Sequence, residues 1–374
     1  MTTRARKVID GDALLTEVYE TLGRFNSYPS WHARVATTLW VVATHFVNAL
    51  DYAPRYVATS GQKRSGKTRQ MEVFACLAFK PKSTVNTTAA SLFREFPEKG
   101  SSARPPTLLL DEQDNIFHAN PSDNTMQLRG ILNAGYKRGE YVSRRDNSNK
   151  YTIHFHTFCF AALSGIGNMP DTLTDRSIHV NFQRSRPGTV EKFKKREREE
   201  LGALKRKIVA WRKSIKEVPA DGPEIDLGND RAEEIWEPLL IVAQLAGPRK
   251  LKLAIEAAKV MTANAAKAAS EDDIQAKLAT DIKTFLETHK NGTYVRSQNL
   301  VEWLLELKLS PWNEMEGKSR RLSQHGLSRM LRPFEVRPER VSPPMVKGKR
   351  EQYRGYKRTD LESFIEMVLD LPAH

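Results

Sequence analysis

Hydrophobic residues recur at helical spacing over residues 11–24 and 31–50, and short apolar runs follow them along the chain. The runs predict buried strands, because a strand covered on both faces has few polar positions. Segments of helical spacing separate the strands, an alternation typical of a parallel sheet with helices on both faces. The pattern therefore predicts an α/β core. Its predicted strands are Arg55–Ser60, Thr107–Leu110, Thr157–Leu163 and Ser177–Phe182, and its predicted helices are Gly66–Phe79 and Met126–Tyr136.

A different pattern, alternation of apolar and polar residues, occurs in Tyr141–Val142 and again in Tyr151–His156. The segment Arg144–Lys150 at their junction is polar throughout. Two short strands with a polar tip predict a β-hairpin ahead of the third core strand.

The character of the chain changes after Pro187. Glu191–Lys216 is dense in charge and predicts a long solvated helix, and Pro219–Gly228 has the composition of a linker. Two amphipathic helices follow, and a third region begins near Asp273 with a helix patterned in Ala, Leu and Ile. We therefore expect four parts: an N-terminal helical segment (1–50), the α/β core (51–188), a helical region (189–272) and a C-terminal domain (273–374).

Composition narrows the class of protein. Of 374 residues, 40% are apolar and 28% are charged, as in folded globular proteins, which argues against global disorder. The first 15 residues lack the apolar core of a secretory signal, and no apolar run approaches a bilayer span, so we expect a cytoplasmic protein without a membrane partner. Cys76 and Cys159 lie in apolar segments and are expected to be reduced core residues. The net charge of +14 favours nucleic acid as a partner, although a generally basic surface gives the same total.

The strongest motif is Gly61-Gln62-Lys63-Arg64-Ser65-Gly66-Lys67-Thr68, followed by Arg69, which fits the phosphate-loop pattern G-x-x-x-x-G-K-[ST]. Its glycines allow successive backbone N–H groups to face phosphate oxygens, and the helix that begins at Gly66 adds its positive end. Lys67 would reach the β- and γ-phosphates, and the Thr68 hydroxyl would bind magnesium. ATP and Mg²⁺ are the expected ligands.

Thr107–Leu110 is followed by Asp111 and Glu112. A buried strand at this point would bring Asp111 to the magnesium ion and Glu112 to the water that attacks the γ-phosphate. Ser164 and Asn168 follow a later strand, where a polar side chain can bind the same water or the γ-phosphate. An ordinary turn is the alternative for each of these two residues.

Taken in order, these motifs resemble an AAA+ helicase-type ATPase, and more closely a family of actinobacterial and mobile-element proteins. The resemblance implies a P-loop AAA+ parallel sheet with a helical lid, assembled into a ring, with a hexamer favoured. One departure is Gly61, because many relatives lack the first glycine of the phosphate loop. The matching segments are Leu39-Trp40, Thr44-His45, Ser65–Arg69, Ser91–Arg94, Leu108–Asp114, Ile116-Phe117, Leu132–Gly135, Ser164–Gly167, Pro170–Thr172, Asp175–Ile178, Asp230–Ala232 and Trp236–Leu240.

The same resemblance implies roles for two arginines. Arg176 is a candidate arginine finger that reaches the γ-phosphate of a neighbouring subunit, and a salt bridge to Asp171 or Asp175 is the alternative. Arg231 is a candidate second sensor that reaches the nucleotide of its own subunit. Its alternative is a helix-start salt bridge to Glu234.

Basic residues concentrate near the C-terminus. Residues 318–358 contain 13 Lys or Arg and three Asp or Glu, a net charge of +10. The order of predicted elements resembles a winged helix, in which a third helix enters the major groove and a basic loop holds phosphates. A basic face that docks on acidic protein is the alternative. The candidate duplex DNA contacts are Arg329, Arg332, Lys347, Lys349 and Arg350.

A second candidate contact is the hairpin tip, where Arg144, Arg145 and Lys150 would grip single-stranded DNA in the channel of a ring. A surface hairpin without this role is the alternative. The chain leaves no room for a primase domain ahead of residue 50, so primer synthesis is not expected and a separate primase or polymerase can be a partner.

Together these features predict a DNA-dependent ATPase of the replicative helicase type from a phage or other mobile element, located in the cytoplasm or nucleoid of a bacterial host. Two alternatives stay open. One is an AAA+ ATPase that loads or remodels another protein on DNA without unwinding it. The other is a DNA-binding regulator in which nucleotide acts only as an assembly switch. A role in defence against phages would use the same chemistry.

Overall fold

The computed structural model describes residues 9–60, 65–85, 88–96, 105–111, 122–145, 151–165, 171–186, 188–290, 292–307, 311–313, 321–342 and 352–369. The chain forms two compact units, residues 1–263 and 264–374. Each unit is described by itself.

The first unit contains a parallel sheet, a separate hairpin and helices on both faces of the sheet. Asp10, Ser30 and Asn229 begin three of the helices by accepting a hydrogen bond from a backbone N–H of the first turn. The helices are α1 (Gly11–Phe25), α2 (Trp31–Ala43), α3 (Lys67–Leu77), α4 (Ala89–Phe93), α5 (Asp123–Ala134), α6 (Asp171–Thr174), α7 (Lys195–Ser214), α8 (Asp230–Ala246) and α9 (Pro248–Thr288), and a 3-10 helix (Thr44–Ala49) follows α2. The strands are β1 (Arg55–Thr59), β2 (Pro81–Val85), β3 (Thr107–Asp111), β4 (Val142–Arg145), β5 (Thr152–Phe155), β6 (Ala161–Ser164) and β7 (Ser177–Asn181).

Five of these strands form one parallel sheet in the order β2-β3-β6-β1-β7. The four strands predicted from apolar runs are confirmed, and so is the parallel α/β core. Sequence reasoning missed β2, because Pro-Lys-Ser-Thr-Val has almost no apolar pattern. Such a sequence is tolerated here because β2 lies at the edge of the sheet, where a proline and polar side chains disrupt little.

The sheet separates two hydrophobic clusters. Tyr56 and Ala58 belong to the larger one, with α1, α2, α3, α7 and α8, whereas Val57 between them belongs to the smaller one, with α4 and α5. Leu109 is likewise in the larger cluster, and its neighbours Leu108 and Leu110 are in the smaller one. Successive strand residues point to opposite faces, so a sheet with a core on each face requires the continuous apolar runs seen in the sequence.

Two helices differ from their predictions. The helix predicted to be solvated, α7, buries Leu201, Leu204, Ile208 and Trp211 in the larger cluster, and only its other face carries the charge. The helices predicted at 250–269 and from 273 onward are one continuous helix of 41 residues, α9. Residues 263–273 contain no Gly or Pro and are rich in Ala, so nothing in this stretch ends a helix.

The predicted hairpin is confirmed, because β4 and β5 form an antiparallel pair in which Val142 lies opposite Phe155. Phe155 packs on Phe93 of α4 with ring centroids 4.7 Å apart, which attaches the inner face of the hairpin to the smaller cluster.

The second unit has its own hydrophobic cluster and a three-stranded antiparallel sheet in the order β8-β10-β9. The buried Trp312 donates its indole N–H to the carboxylate of Asp281, at 2.8 Å. Besides the end of α9, the elements are β8 (Tyr294–Arg296), α10 (Ser297–Glu306), α11 (Gln324–Leu331), β9 (Glu339–Val341), β10 (Tyr353–Lys357) and α12 (Arg358–Leu369), with short 3-10 helices at Pro311–Asn313 and Arg332–Phe334.

None of the helices among the described residues combines the length and the apolar composition that a bilayer span requires.

Candidate phosphate-binding site

Three neighbouring parallel strands end at one edge of the sheet. β6 lies between β1 and β3, with Ala58 opposite Ser164 on one side and Leu110 opposite Leu163 on the other. The carboxyl ends of parallel strands form the usual binding edge of an open α/β sheet. Residues 61–64, which follow β1 and Ser60 in the sequence, lie outside the described residues, and the description resumes at Ser65.

The last residues of β3 and β6 are joined by a hydrogen bond. The Ser164 hydroxyl, which is buried, donates to Oδ1 of Asp111. The predicted contact of Ser164 with the attacking water or the γ-phosphate stays a prediction, and the structure shows its hydroxyl bound to a carboxylate. A donor at this position fixes the direction of the Asp111 carboxylate. Glu112 and Asn168, the other two predicted groups, lie outside the described residues.

Helix α3 begins at the same edge. Gly66 precedes it with φ of +98°, a left-handed conformation that favours glycine, and its carbonyl accepts from the N–H of Gln70 at 2.9 Å. Lys67 and Thr68 are the first two residues of α3, and the Thr68 side chain is exposed. The first turn of a helix has N–H groups without partners inside the helix, so this end of α3 suits an anion.

Asn26 reaches the predicted phosphate loop at Gly66 from the end of α1. Its Nδ2 donates to the carbonyl of Gly66 at 3.0 Å. Sequence reasoning missed this residue, because an Asn directly after a helix is explained by chain termination alone. The contact joins the N-terminal helical segment to the residue at which the phosphate loop turns into α3.

A second contact joins the same two parts of the chain. The Tyr28 hydroxyl donates to Oε1 of Gln70 at 2.5 Å, and burial raises the pKa of Tyr28 well above its ordinary value. Phe182, which follows β7, packs on the Tyr28 ring at 5.5 Å. Residues 26–28 therefore lie along the first turn of α3.

Three buried polar atoms around this turn have no hydrogen-bond partner within the part of the chain that the structure describes. They are Oδ1 of Asn26, Oγ of Ser65 and Nε2 of Gln70. Buried polar atoms are normally paired, and groups that are not paired commonly mark a functional site. This cluster fits a site whose hydrogen bonds are completed by a polar ligand.

The oxygen donors nearby fit magnesium. Thr68 offers a hydroxyl and Asp111 a carboxylate, and Mg²⁺ is usually held by one or two protein oxygens together with substrate phosphates and water. No group of three His, Cys, Asp or Glu side chains suited to a metal occurs among the described residues. The described residues therefore do not form a metal site in which protein side chains supply all the ligands.

The side chain of Arg69, the last residue of the predicted loop, contacts Glu72 and Phe193. Its Nε pairs with Glu72 at 2.9 Å, and its guanidinium lies 5.2 Å from the centre of the Phe193 ring.

Arg176 and Arg231 lie at the opposite, amino edge of the sheet. Arg176 directly precedes β7, and its carbonyl accepts from the N–H of Arg55, the first residue of β1. Arg231 pairs with Asp175 at 3.2 Å and also with Glu234. The length of β1 separates this edge from the phosphate loop of the same subunit.

The guanidinium of Arg231 is in the ion pair with Glu234 that was the alternative to a second sensor, and the second-sensor role stays a prediction. Arg176 donates to the carbonyl of Thr172 at 2.7 Å, and Asp175 pairs with Arg231. A finger at Arg176 can serve only the site of another subunit, and that role stays a prediction.

The predicted DNA contacts are described in part. Arg144 lies over the Phe93 ring at 4.7 Å and donates to Gln127 at 3.3 Å, so it attaches the hairpin to the core. Arg329 and Arg332, near the end of α11, are exposed. The side chain of Arg145 and residues Lys150, Lys347, Lys349 and Arg350 lie outside what the structure describes.

Comparison with known proteins finds similarity to a family model and to individual proteins. Residues 182–365 match a family described as a protein of unknown function, DUF3631. A Saccharopolyspora erythraea protein described as an uncharacterized 28.9 kDa protein in the xis 5' region is 31% identical over 180 residues, which cover 47% of this chain and 64% of that protein. A structure described as the A form apo structure of the NrS-1 C-terminal region aligns with 92% of this chain and 75% of its own at 12% identity, with a TM-score of 0.37.

Proposed function

We propose that this chain is an ATP hydrolase of the AAA+ helicase type that acts on DNA during replication of a phage or other mobile element. The observation that carries the proposal is the edge of the sheet at which Ser164 holds the Asp111 carboxylate beside the start of α3. The left-handed Gly66 and the unpartnered buried oxygen of Ser65 support an anionic ligand at this edge.

In the proposed reaction Lys67 holds the β- and γ-phosphates of ATP, and the N–H groups at the start of α3 face the phosphate oxygens. Thr68 and Asp111 hold magnesium, which when bound neutralises charge that develops on the phosphate oxygens. Glu112 orients the attacking water and accepts its proton. The hydrogen bond from Ser164 keeps the Asp111 carboxylate in one orientation, which avoids a rearrangement during each turnover.

The second unit is the proposed DNA-binding part. Its order of elements and its antiparallel sheet support a winged helix, with Arg329 and Arg332 exposed near the end of α11. Lys347, Lys349 and Arg350, which lie between β9 and β10 in the sequence, would add phosphate contacts. Arg145 and Lys150 are the remaining candidates for single-stranded DNA, because Arg144 is packed on the core.

A ring, with six subunits favoured, is the proposed assembly. The amino-edge position of Arg176 supports an arginine finger that acts between subunits, since it lies away from the phosphate loop of its own chain.

The experiment that tests the proposal measures ATP hydrolysis with and without single- and double-stranded DNA. Lys67→Ala is expected to lower the rate roughly 10²–10³-fold, as does the loss of other preorganised charges. Glu112→Gln is expected to lower it roughly 10²–10⁴-fold, because it removes the general base. Lys252→Ala is the matched control, since it removes an exposed lysine of α9.

The outcomes separate the candidate functions. If DNA stimulates ATP hydrolysis by the wild type and both variants lose this activity, the result supports an ATP-driven motor on DNA. A strand-displacement assay then separates a helicase from a loader. Tight ATP binding without hydrolysis under any DNA condition would overturn the motor and favour the nucleotide-switched regulator.

A further inference from the structure

The antiparallel pair of β9 and β10 sets two arginines directly opposite each other. Arg340 lies across from Arg354 in the register of the pair, and both side chains are exposed. Residues opposite each other on antiparallel strands share a face, with Cβ atoms roughly 5 Å apart, so two like charges at these positions repel. Within the part of the chain that the structure describes, neither guanidinium has an ion pair or a hydrogen bond.

The other face of the same sheet is arranged differently. Glu339, the neighbour of Arg340, pairs with Lys357 at 3.0 Å and accepts from the Tyr294 hydroxyl at 3.3 Å. Successive strand residues point to opposite faces, so Glu339 cannot neutralise Arg340. One face of the sheet therefore carries an ion pair between Glu339 and Lys357, and the other carries two adjacent positive charges that no acidic side chain neutralises among the described residues.

An open groove of about 380 Å³ lies at the arginine pair, lined by Pro338, Arg340, Gln352, Tyr353 and Arg354. Tyr356, two residues from Arg354 and on the same face, is buried in the cluster to which Leu327 and Leu331 of α11 belong. The two arginines thus lie on the same sheet face as a residue of this hydrophobic cluster, at the end where the groove opens to solvent.

We propose that Arg340 and Arg354 are a clamp for the phosphates of a DNA backbone, in addition to the basic loop and the end of α11. The inference rests on the proposed function, in which the second unit binds DNA. A phosphate between two guanidinium groups accepts charge-assisted hydrogen bonds from both, and it converts their repulsion into attraction. The net charge of +10 over residues 318–358 favours a polyanion over a single free phosphate.

The test measures equilibrium binding of the full chain to a fluorescent duplex of about 20 base pairs with a random sequence. Fluorescence anisotropy gives the binding constant K at salt concentrations between about 50 and 200 mM. The slope of log K against log salt is negative, and the double variant Arg340→Gln/Arg354→Gln is expected to reduce its magnitude by about 0.9 for each arginine. Two duplexes of unrelated sequence should lose affinity equally, because phosphates carry no sequence information. Lys357→Gln removes a charge from the opposite face of β10 and is expected to leave the slope unchanged.

Two further measurements separate binding from folding. The glutamine variant is expected to melt at or above the wild-type temperature, since it removes a repulsive pair. Arg340→Lys/Arg354→Lys keeps both charges and is expected to retain the salt slope while it loses affinity, because lysine cannot bind a phosphate through a fork of N–H groups.

An unchanged slope in the glutamine variant, or an equal loss in Lys357→Gln, overturns the clamp and leaves the proposed function in place. A wild-type chain that binds neither duplex overturns the clamp together with the DNA-binding part of the proposed function, while ATP hydrolysis is tested separately.

Discussion

The amide of Asn26 donates to the carbonyl of Gly66, the residue at which the backbone turns left-handed and α3 begins. The carbonyl of Gly66 and the N–H of Lys67 belong to the same planar peptide group. The contact therefore also orients the Lys67 N–H, which is proposed to face phosphate. Asn26→Ala removes one hydrogen bond of about 1 kcal/mol, which corresponds to roughly fivefold weaker binding of Mg·ATP. Titration of a fluorescent nucleotide measures the affinity, and KM is expected to rise with kcat nearly unchanged.

Asn26→Asp sharpens this test, because it keeps the size of the side chain and replaces the donor with a negative charge beside the Gly66 carbonyl. It is expected to weaken nucleotide binding more than Asn26→Ala does. Ser27→Ala alters the exposed neighbour and serves as the control. Equal affinity of wild type and Asn26→Ala would show that the phosphate loop holds its shape without this contact.

The junction between α5 and β1 depends on the absence of a side chain at Gly135. A Cβ there would lie 2.4 Å from the carbonyl oxygen of Thr157 and 3.0 Å from Nη2 of Arg55. Arg55 is buried and donates to the carbonyls of Leu132 and Cys159, and burial lowers its pKa, so little around it can move. Gly135→Ala is expected to lower the free energy of unfolding by roughly 1–3 kcal/mol, the usual cost of overpacking.

Gly130, an exposed residue inside α5, is the matched control for Gly135, which directly follows that helix. A Cβ at Gly130 meets no atom within 4 Å, so Gly130→Ala is expected to raise the free energy of unfolding by roughly 0.5–1 kcal/mol through helix propensity. Urea unfolding followed by circular dichroism measures both variants. Opposite signs support the packing argument, and destabilisation by both would refute it.

Acid stability is a property of the whole molecule to which two buried histidines contribute. Burial lowers the pKa of His45 and of His179 to about 4, from an ordinary value of 6.5. Each is neutral in the folded chain and binds a proton in the unfolded chain below pH 6.5. Their stabilising contribution is therefore complete above that pH and declines as the pH falls toward 4, by up to about 1.4 kcal/mol per pH unit for each histidine.

Urea unfolding at pH 7 and pH 5 is expected to show the lower stability at pH 5. A variant with His45→Gln and His179→Asn should depend less steeply on pH over this interval, because neither replacement titrates. A chain that is equally stable at both values would contradict the assignment of these two histidines as buried and neutral.

Local patterns were sufficient for much of the core of this molecule. Apolar runs predicted β1, β3, β6 and β7, since a strand buried on both faces must be apolar at every position. The edge strand β2 was missed, because half-exposed edge positions impose no such pattern. The continuity of α9 was missed as well, because helix propensity alone does not show where a chain passes from one compact unit to the next.

Sequence by itself determined which chemical groups are available for the proposed function: the residues of the predicted phosphate loop through Lys67 and Thr68, the acids Asp111 and Glu112, and the excess of basic residues near the C-terminus. These follow from short-range spacing, which a linear chain displays directly. Only the tertiary structure decided which groups meet: Ser164 with Asp111, Asn26 with Gly66, Arg340 with Arg354, and Arg231 at the edge away from the phosphate loop. Strand order and register produce these meetings, and both arise from packing between residues that are far apart in the chain.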